Sequence, residues 1–468
     1  LPHSERFGIL RARPDTGRAR NGKAERMVDR IGIRREDMYQ WERRVPLIPQ
    51  HLRELTDEAG LSFRIESSDQ RAFSDDEYRA AGLEVVGRLD DCPIVIGLKE
   101  IPLGALEPDK VYLFFSHTIK GQTENMPMLR RCLELRCTII DYERIVDDEG
   151  RRLIFFGNYA GLAGMIDTLW ALGRRLAWEG IPNPLEGIRQ ASTYADLAEA
   201  KAAIVEVGER IASEGLPAEI SPLVIGIAGY GNVSRGAQEI LDLLPTKEIR
   251  PADLLNGSER PRGPSRALVL KVVFREEDTV LPLVDGKAFD LREYCDHPER
   301  YRAAFERYLP KLHALVNCIY WAPRYPRLVT VEAIRDLYAA GRPALRMIGD
   351  ISCDIEGAIG ITVKGTEPDD PIYVYDPESG TVRSGVEGNG PVVMAVEILP
   401  SELPREASSY FSAILKGFVP AIAAADYAAT FDELSLPATL KRAVIAHRGE
   451  LTPDYRDIEK HLIAAGTA

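Results

Sequence analysis

One segment constrains the fold of this chain more than any other. The apolar run Leu223-Val224-Ile225-Gly226-Ile227-Ala228 leads directly into Gly229-Tyr230-Gly231-Asn232-Val233-Ser234-Arg235-Gly236-Ala237, and an amphipathic stretch follows to Leu244. A short, wholly apolar run fits a strand buried on both faces of a parallel sheet. Glycines placed between such a strand and a helix form the turn that holds a dinucleotide pyrophosphate. Gly229 permits the tight turn, and Gly231 lets the backbone approach the anion. Asn232 and Val233 open the helix, whose free N–H groups and positive dipole end face the phosphates. The third glycine is displaced: Gly236 comes late, and Ser234 stands where it is usually found.

The rest of the chain agrees with an α/β architecture. Short apolar runs at Ile94–Leu98, Val111–Phe115 and Thr138–Ile140 alternate with helical stretches, and further strands are expected at Leu268–Phe274, Ala314–Tyr320 and Arg346–Asp350. Such alternation builds doubly wound parallel sheets. A chain of 468 residues exceeds one hydrophobic core, so two Rossmann-like domains are expected. The amphipathic stretch 158–180 would bridge them. A substrate domain is expected over 27–165, completed by the C-terminal segment 390–468, with Pro437–Ala446 helical. A dinucleotide-binding domain would span 166–389. Residues 1–26, rich in arginine and poor in periodicity, read as a disordered extension, and 256–266 as an exposed loop.

Composition excludes some functions. A net charge of -13 is the wrong sign for a nucleic-acid footprint. No apolar run approaches the length of a membrane helix. The six cysteines form no CxxC pair and have no histidine at ligand spacing, so no metal is expected; buried free thiols suit a cytoplasmic protein.

Polar residues just past the carboxyl ends of parallel strands occupy the ligand crevice of open α/β sheets. Lys99 and His117 stand in that position after two of the apolar runs. If those strands are neighbours, each cation disfavours the other's charge, which suits proton shuttling during condensation of an amine with a ketone. Taken singly, a lysine here is more often a solvated strand-end residue and a histidine more often a hydrogen-bonded structural one; the pair is worth more than either. Glu42-Arg43-Arg44 follows the first strand, and an arginine here could fork a substrate carboxylate, though a surface basic pair fits the sequence at least as well. Glu143 offers a carboxylate partner for Lys99. Asp350 and Ser352 follow a later strand and either approach the nicotinamide or cap a helix. Cofactor choice is read about 20 positions beyond the first glycine, where Lys247 and Arg250 lean towards a 2′-phosphate and Glu248 leans against it.

These residues resemble one family. Glu42-Arg43-Arg44-Val45-Pro46-Leu47, Gly97-Leu98-Lys99-Glu100, Phe115-Ser116-His117-Thr118, Phe156-Gly157-Asn158-Tyr159-Ala160-Gly161, Asn317-Cys318-Ile319-Tyr320-Trp321, Asp350-Ile351-Ser352-Cys353-Asp354 and Leu403-Pro404-Arg405-Glu406-Ala407 together resemble the lysine-ketoglutarate reductase domain of the aminoadipic semialdehyde synthase family. Saccharopine dehydrogenases and alanine dehydrogenases are similar more distantly. The resemblance implies that Lys99 and His117 are an acid/base pair, Arg44 a carboxylate anchor and Glu143 the acidic neighbour of the lysine. It implies NADPH, with NADH as the alternative, and L-lysine and 2-oxoglutarate as substrates condensed to saccharopine. It also points to a homo-oligomer. The bifunctional relatives carry a second, saccharopine-oxidising domain for which 468 residues leave no room, so a separate enzyme would complete the pathway. The alternatives are an NAD-dependent saccharopine or alanine dehydrogenase, and a nucleotide-binding regulatory protein without turnover.

Overall fold

The computed structural model describes residues 30–257 and 267–464. The expected extension 1–26 and most of the 256–266 loop lie outside the described residues. The first lobe is built on β1 (Ile31–Ile33), β2 (Phe63–Glu66), β3 (Glu84–Val86), β4 (Ile94–Ile96), β5 (Val111–Phe114) and β6 (Thr138–Asp141). These lie parallel in the order β3-β2-β1-β4-β5-β6. The order reverses between β1 and β4, and a crevice opens at such a switch point.

The second lobe contains β7 (Leu223–Ala228), β8 (Thr246–Ile249), β9 (Val269–Phe274), a hairpin of β10 (Val280–Pro282) and β11 (Tyr301–Ala303), β12 (Ala314–Asn317), β13 (Met347–Asp350), β14 (Ile372–Tyr375), β15 (Val382–Ser384) and β16 (Val392–Met394). Apart from the hairpin they form one sheet, β15-β14-β16-β13-β12-β7-β9-β8, parallel from β16 to β8. Its switch point is between β7 and β12. Strands β8, β14 and β15 went unread in the sequence.

The chain then returns to the first lobe, where β17 (Val444–His447) pairs antiparallel with β6 and β18 (Glu450–Leu451) pairs with β17. This corrects the expected helix over Pro437–Ala446. Only Ala438–Lys441 is helical, and Val444 and Ile445, β-branched and buried on both faces, extend the sheet.

Two connections join the lobes. The crossover helix Gly157–Trp178 buries Leu162, Ile166, Leu169, Leu172 and Leu176 in the core of the second lobe. The return helix Pro404–Leu415 buries Phe411 and Leu415 in the core of the first. The expected limits of 165 and 390 are therefore displaced. The crossover helix packs with the second lobe almost from its start, and β16 beyond residue 390 is a strand of the second sheet.

Two buried acids hold these connections together. Asp167 lies inside the crossover helix, and Glu402 ends the 3-10 turn before the return helix. Asp167 Oδ1 accepts the Ala191 amide at 2.7 Å and Glu402 Oε2 the Ser192 amide at 3.2 Å. Among the described residues, Asp167 Oδ2 and Glu402 Oε1 are buried without another hydrogen-bond partner, and each charge opposes ionisation of the other, so the pair favours keeping one proton. Burial pushes Asp167 up to about 6; burial and the adjacent Asp167 charge raise Glu402 well above the carboxylate range.

Candidate functional site

In the first lobe β4 and β5 are parallel neighbours, so Lys99 and His117, each three residues beyond its strand, share one edge of the sheet. The structure modifies the expectation of two facing cations by adding an acid. Glu100, buried, receives a hydrogen bond at Oε1 from His117 Nδ1. Burial works against ionisation of Glu100, but the bond to His117 and the charges of His117 and Lys99 hold its carboxyl below the usual range. With Nδ1 engaged, Nε2 is the ring nitrogen left to exchange protons. The Lys99 ammonium lies 5.5 Å from the centroid of the Tyr39 ring.

Two further buried acids position this edge. Glu36, after β1, accepts the main-chain amides of Leu98 at 2.7 Å and Lys99 at 2.9 Å. It thereby bridges the switch point. Burial pushes Glu36 up to about 7, with Arg34 opposing and Glu42 adding to the shift. Asp141 ends β6 and accepts the Ser116 amide at 3.1 Å together with the Ser116 hydroxyl, while the Ser116 and Thr118 hydroxyls lie 2.8 Å apart. This network fixes the turn in which His117 adopts φ of 47°, a left-handed conformation that costs energy for a residue with a side chain. Neither Glu36, Glu100 nor Asp141 was singled out in the sequence.

The other first-lobe candidates are placed differently. Arg44 and Glu42 form a buried fork with each other, Nε to Oε1 at 2.8 Å and Nη2 to Oε2 at 2.5 Å. The guanidinium also covers the Phe156 ring at 4.2 Å. The edge of Arg44 expected to grip a substrate carboxylate is thus occupied by Glu42, and Glu42 serves the arginine. Glu143 pairs with Arg152 at 2.7 Å, while Glu100 is the acid bonded to His117.

In the second lobe the glycine loop follows β7 and leads into the helix Asn232–Leu241. Gly229 has φ of 101°, and a Cβ there would lie 3.2 Å from the Cys318 carbonyl. Gly231 is extended and caps the helix without any side-chain bond to its first amides. A Cβ on Gly231 would meet nothing within 4 Å. The open approach, together with the uncapped amides of the first turn at Asn232 and Val233, fits a dinucleotide pyrophosphate. Gly236 has another task. A Cβ there would lie 2.1 Å from the Asn158 carbonyl, and one on Gly161 would lie 1.9 Å from that of Val233. Both glycines let the crossover helix and the loop helix touch backbone to backbone.

Asp350, the last residue of β13, is also reassigned. It receives hydrogen bonds from Asn317 Nδ2 at 2.8 Å, Thr362 Oγ1 at 2.6 Å and the Cys353 amide at 3.2 Å. Burial pushes it up to about 6. Fully enclosed, it braces the loops after β12 and β13. Ser352 donates to the Ile319 carbonyl at 2.6 Å, and Ile319 abuts Gly229, so Ser352 borders the glycine loop through that contact.

Arg250 is placed away from the glycine loop. Arg250 follows β8 and forks Asp253 at 2.7 and 2.8 Å. But β8 is the edge strand, and the strand beside β7 is β9. The residues at the end of β9, Arg275 and Glu276, therefore flank the glycine loop. The Gly229 amide donates to the Phe274 carbonyl at 2.9 Å. The Arg275 guanidinium covers the Tyr230 ring at 4.7 Å, and the Tyr230 hydroxyl donates to Glu276 at 3.4 Å.

The carboxyl-end edges of both sheets border one crevice. Burial, and then the charges of Glu100 in the first lobe and Glu397 in the second, push Tyr39 up to about 12. Lys120 of the first lobe acts on Asp354 of the second. Trp41, after β1, packs on the core of the second lobe. Among the described residues no cluster of His, Cys, Asp and Glu could hold a metal, and no helix is long and apolar enough to cross a membrane.

Comparison with known proteins agrees with this arrangement. Residues 32–163 match the family model of the alanine dehydrogenase/PNT N-terminal domain. The chain is 40% identical to an α-aminoadipic semialdehyde synthase of Arabidopsis thaliana over 445 residues, 92% of this chain and 41% of that protein. It is 26% identical to the saccharopine dehydrogenase (NAD+, L-lysine-forming) of Emericella nidulans over 393 residues, 80% of this chain and 87% of that one. An L-alanine dehydrogenase structure shares the fold at a TM-score of 0.59 and 19% identity, covering 92% of this chain and 99% of its own. The chain spans less than half the length of the synthases it matches. By these matches the chain is similar to part of the α-aminoadipic semialdehyde synthases and to the saccharopine dehydrogenases, and its residues 32–163 match the alanine dehydrogenase/PNT N-terminal domain.

Proposed function

We propose that this chain is an NADPH-dependent reductase that condenses L-lysine with 2-oxoglutarate to form saccharopine. The observation that carries the reading is the placement of Lys99, Glu100 and His117 at the switch point of one sheet, with the glycine loop at the switch point of the other. The Emericella nidulans relative, a saccharopine dehydrogenase that forms L-lysine, supports the reading. When bound, the nicotinamide supplies the hydride.

In this reading the lysine ε-amine attacks the ketone carbon of 2-oxoglutarate, and the Lys99 ammonium hydrogen-bonds the ketone oxygen and gives it a proton as it gains charge, forming the carbinolamine hydroxyl. His117 Nε2 takes the proton released by the attacking nitrogen and returns it to the carbinolamine hydroxyl, which leaves as water. Glu100 holds the ring in the required tautomer and stabilises its charged form. Reduction of the resulting iminium carbon leaves the secondary amine of saccharopine. Arg44 keeps its Nη1 edge for a substrate carboxylate, while Glu42 and Phe156 fix its plane. Closure of the lobes over the crevice keeps water from hydrolysing the imine.

Purified protein given lysine, 2-oxoglutarate and NADPH is expected to oxidise the cofactor only when both substrates are present, and pyruvate is expected to replace 2-oxoglutarate poorly. Tight NADPH binding without turnover would sink the assignment. Cofactor choice rests on Arg275, whose exposed guanidinium beside the glycine loop suits a 2′-phosphate. Arg275→Ala is expected to raise KM for NADPH by about tenfold or more and leave KM for NADH unchanged. Glu276 favours a second reading, an NAD-linked saccharopine dehydrogenase, because an acid at this position accepts from ribose hydroxyls. In that case wild-type kcat/KM is higher with NADH, and Arg275→Ala changes neither cofactor.

A further inference from the structure

At the amino ends of the strands in the second sheet, opposite the edge that carries the glycine loop, three arginines surround one acid. Glu179 closes the crossover helix and is almost fully buried. Its Oε1 accepts from Arg175 Nε at 2.8 Å, and its Oε2 accepts from Arg346 Nε at 2.7 Å and lies 3.2 Å from Arg342 Nη2. Arg175 Nη1 donates to the Val386 carbonyl at 2.6 Å and Arg346 Nη1 to the Ala344 carbonyl at 2.8 Å. Among the described residues, the Nη2 groups of both these buried arginines are left without a protein acceptor, as is Nη1 of the exposed Arg342.

All of these side chains line a single cavity of about 410 Å³, together with Trp178, Tyr338, Leu345 and Asn389. Glu179 is the only acid in the lining. The neighbouring His313 is pushed down to about 4 by burial and by Arg346, so it stays neutral and offsets nothing. Two cations held in place, Arg175 and Arg346, and the exposed Arg342 stand against one anion, which leaves a surplus of two positive charges in a concave site. Burying unpaired charge is costly, and two guanidinium groups already held by a carboxylate and a carbonyl are preorganised to fork an oxyanion. The Trp178 ring, covered by Arg175 at 4.7 Å, gives the cavity one apolar wall.

We propose that this cavity is a binding site for a small dianion, a phosphate group or a dicarboxylate, separate from the interlobe crevice. The ligand would join the end of the crossover helix to the start of β13 and to the loop before β16. It would therefore stiffen the second lobe at the far end of the helix that leads back to the crevice.

Inorganic phosphate and succinate are the probes, each titrated into the full chain against sodium chloride of equal ionic strength and read by calorimetry and melting temperature. At least one should bind with saturation and raise the melting temperature, and the arm that responds identifies the anion. Arg342 is exposed, so Arg342→Gln should fold normally, keep its activity without added anion, and bind the probe about tenfold more weakly. Arg342→Gln/Arg346→Gln should not respond, whereas Lys99→Met, altered in the crevice, should bind as wild type does. The proposal is overturned if neither probe exceeds chloride. It is overturned equally if both arginine variants respond like wild type, or if Lys99→Met removes the response.

Discussion

Replacing Lys99 with methionine is expected to lower kcat for the condensation by about 10²–10⁴-fold, with the dissociation constant for NADPH unchanged. Methionine keeps the length and apolar contacts of the lysine stem but removes the ammonium. The main-chain amide of residue 99 still donates to Glu36, so the loop after β4 is retained. The glycine loop lies in the other lobe and is untouched, which separates loss of chemistry from loss of binding. His117→Gln should fall in the same range, because it removes the group that returns a proton to the departing hydroxyl. The double variant should lose little more than either alone, as expected for residues that act as a unit. Single-turnover kinetics with saturating NADPH provide the check. A Lys99→Met protein with wild-type turnover would remove the lysine from the mechanism, whatever the substrate.

Raising the pH from 5 to 8 is expected to destabilise the protein through Asp167 and Glu402. Both carboxyls lie above their ordinary values in the folded chain, so the folded state holds more protons than the unfolded one. Their contribution is fully present below about pH 4, where both states are protonated. It is lost as pH rises through about 6 and beyond, because ionisation then favours the unfolded chain. For Asp167 alone, with burial as the main cause, the loss from below pH 4 to above pH 6 is about 3 kcal/mol, of which about 1 kcal/mol falls between pH 5 and 8. Glu402→Gln should remove most of this dependence, since its amide can donate to an ionised Asp167 while its oxygen still accepts from Ser192. Denaturant melts of both proteins across that pH range test it. Parallel curves would show that the pair does not share a proton. Since these residues tie the crossover helix to the return segment, the alkaline wild type should also open most readily at the junction of the lobes.

The elements that were legible in the sequence are those whose signal is local. The run Leu223–Ala228 is apolar throughout because both faces of β7 are covered, and the glycines after it are required by the turn itself. The crossover helix was equally plain, since its buried leucines recur at helical spacing. Lys99 and His117 could be paired because consecutive parallel strands tend to be neighbours, and β4 and β5 are. Arg44 and Glu42 were recognised as a motif, but their mutual fork was not. Two residues apart, they could as well have faced a ligand as each other.

The misplaced residues share a cause. Arg250 lies at the expected distance along the chain from Gly229, yet β9 inserts between β7 and β8 and brings Arg275 and Glu276 to the loop instead. Gly236 stands in a cofactor motif but faces the backbone of a helix from another part of the chain. Glu36 and Glu100 resemble any acid after a strand until the amides and the imidazole they serve are seen. Val444–His447 carries too few residues to declare its period, and only the open edge of β6 makes it a strand.

By itself, then, the chain determined what depends on neighbours within a few residues: the glycine turn after β7, the amphipathic helices, and the α/β alternation. Tertiary structure alone decided which strand lies beside which, and so which acid meets His117 and which cation borders the glycine loop. The physical reason is range. Backbone conformation and hydrophobic period are set over one or two turns of chain, whereas hydrogen bonds between charged side chains act over about 3 Å and join residues whose separation in sequence carries no information about their contact.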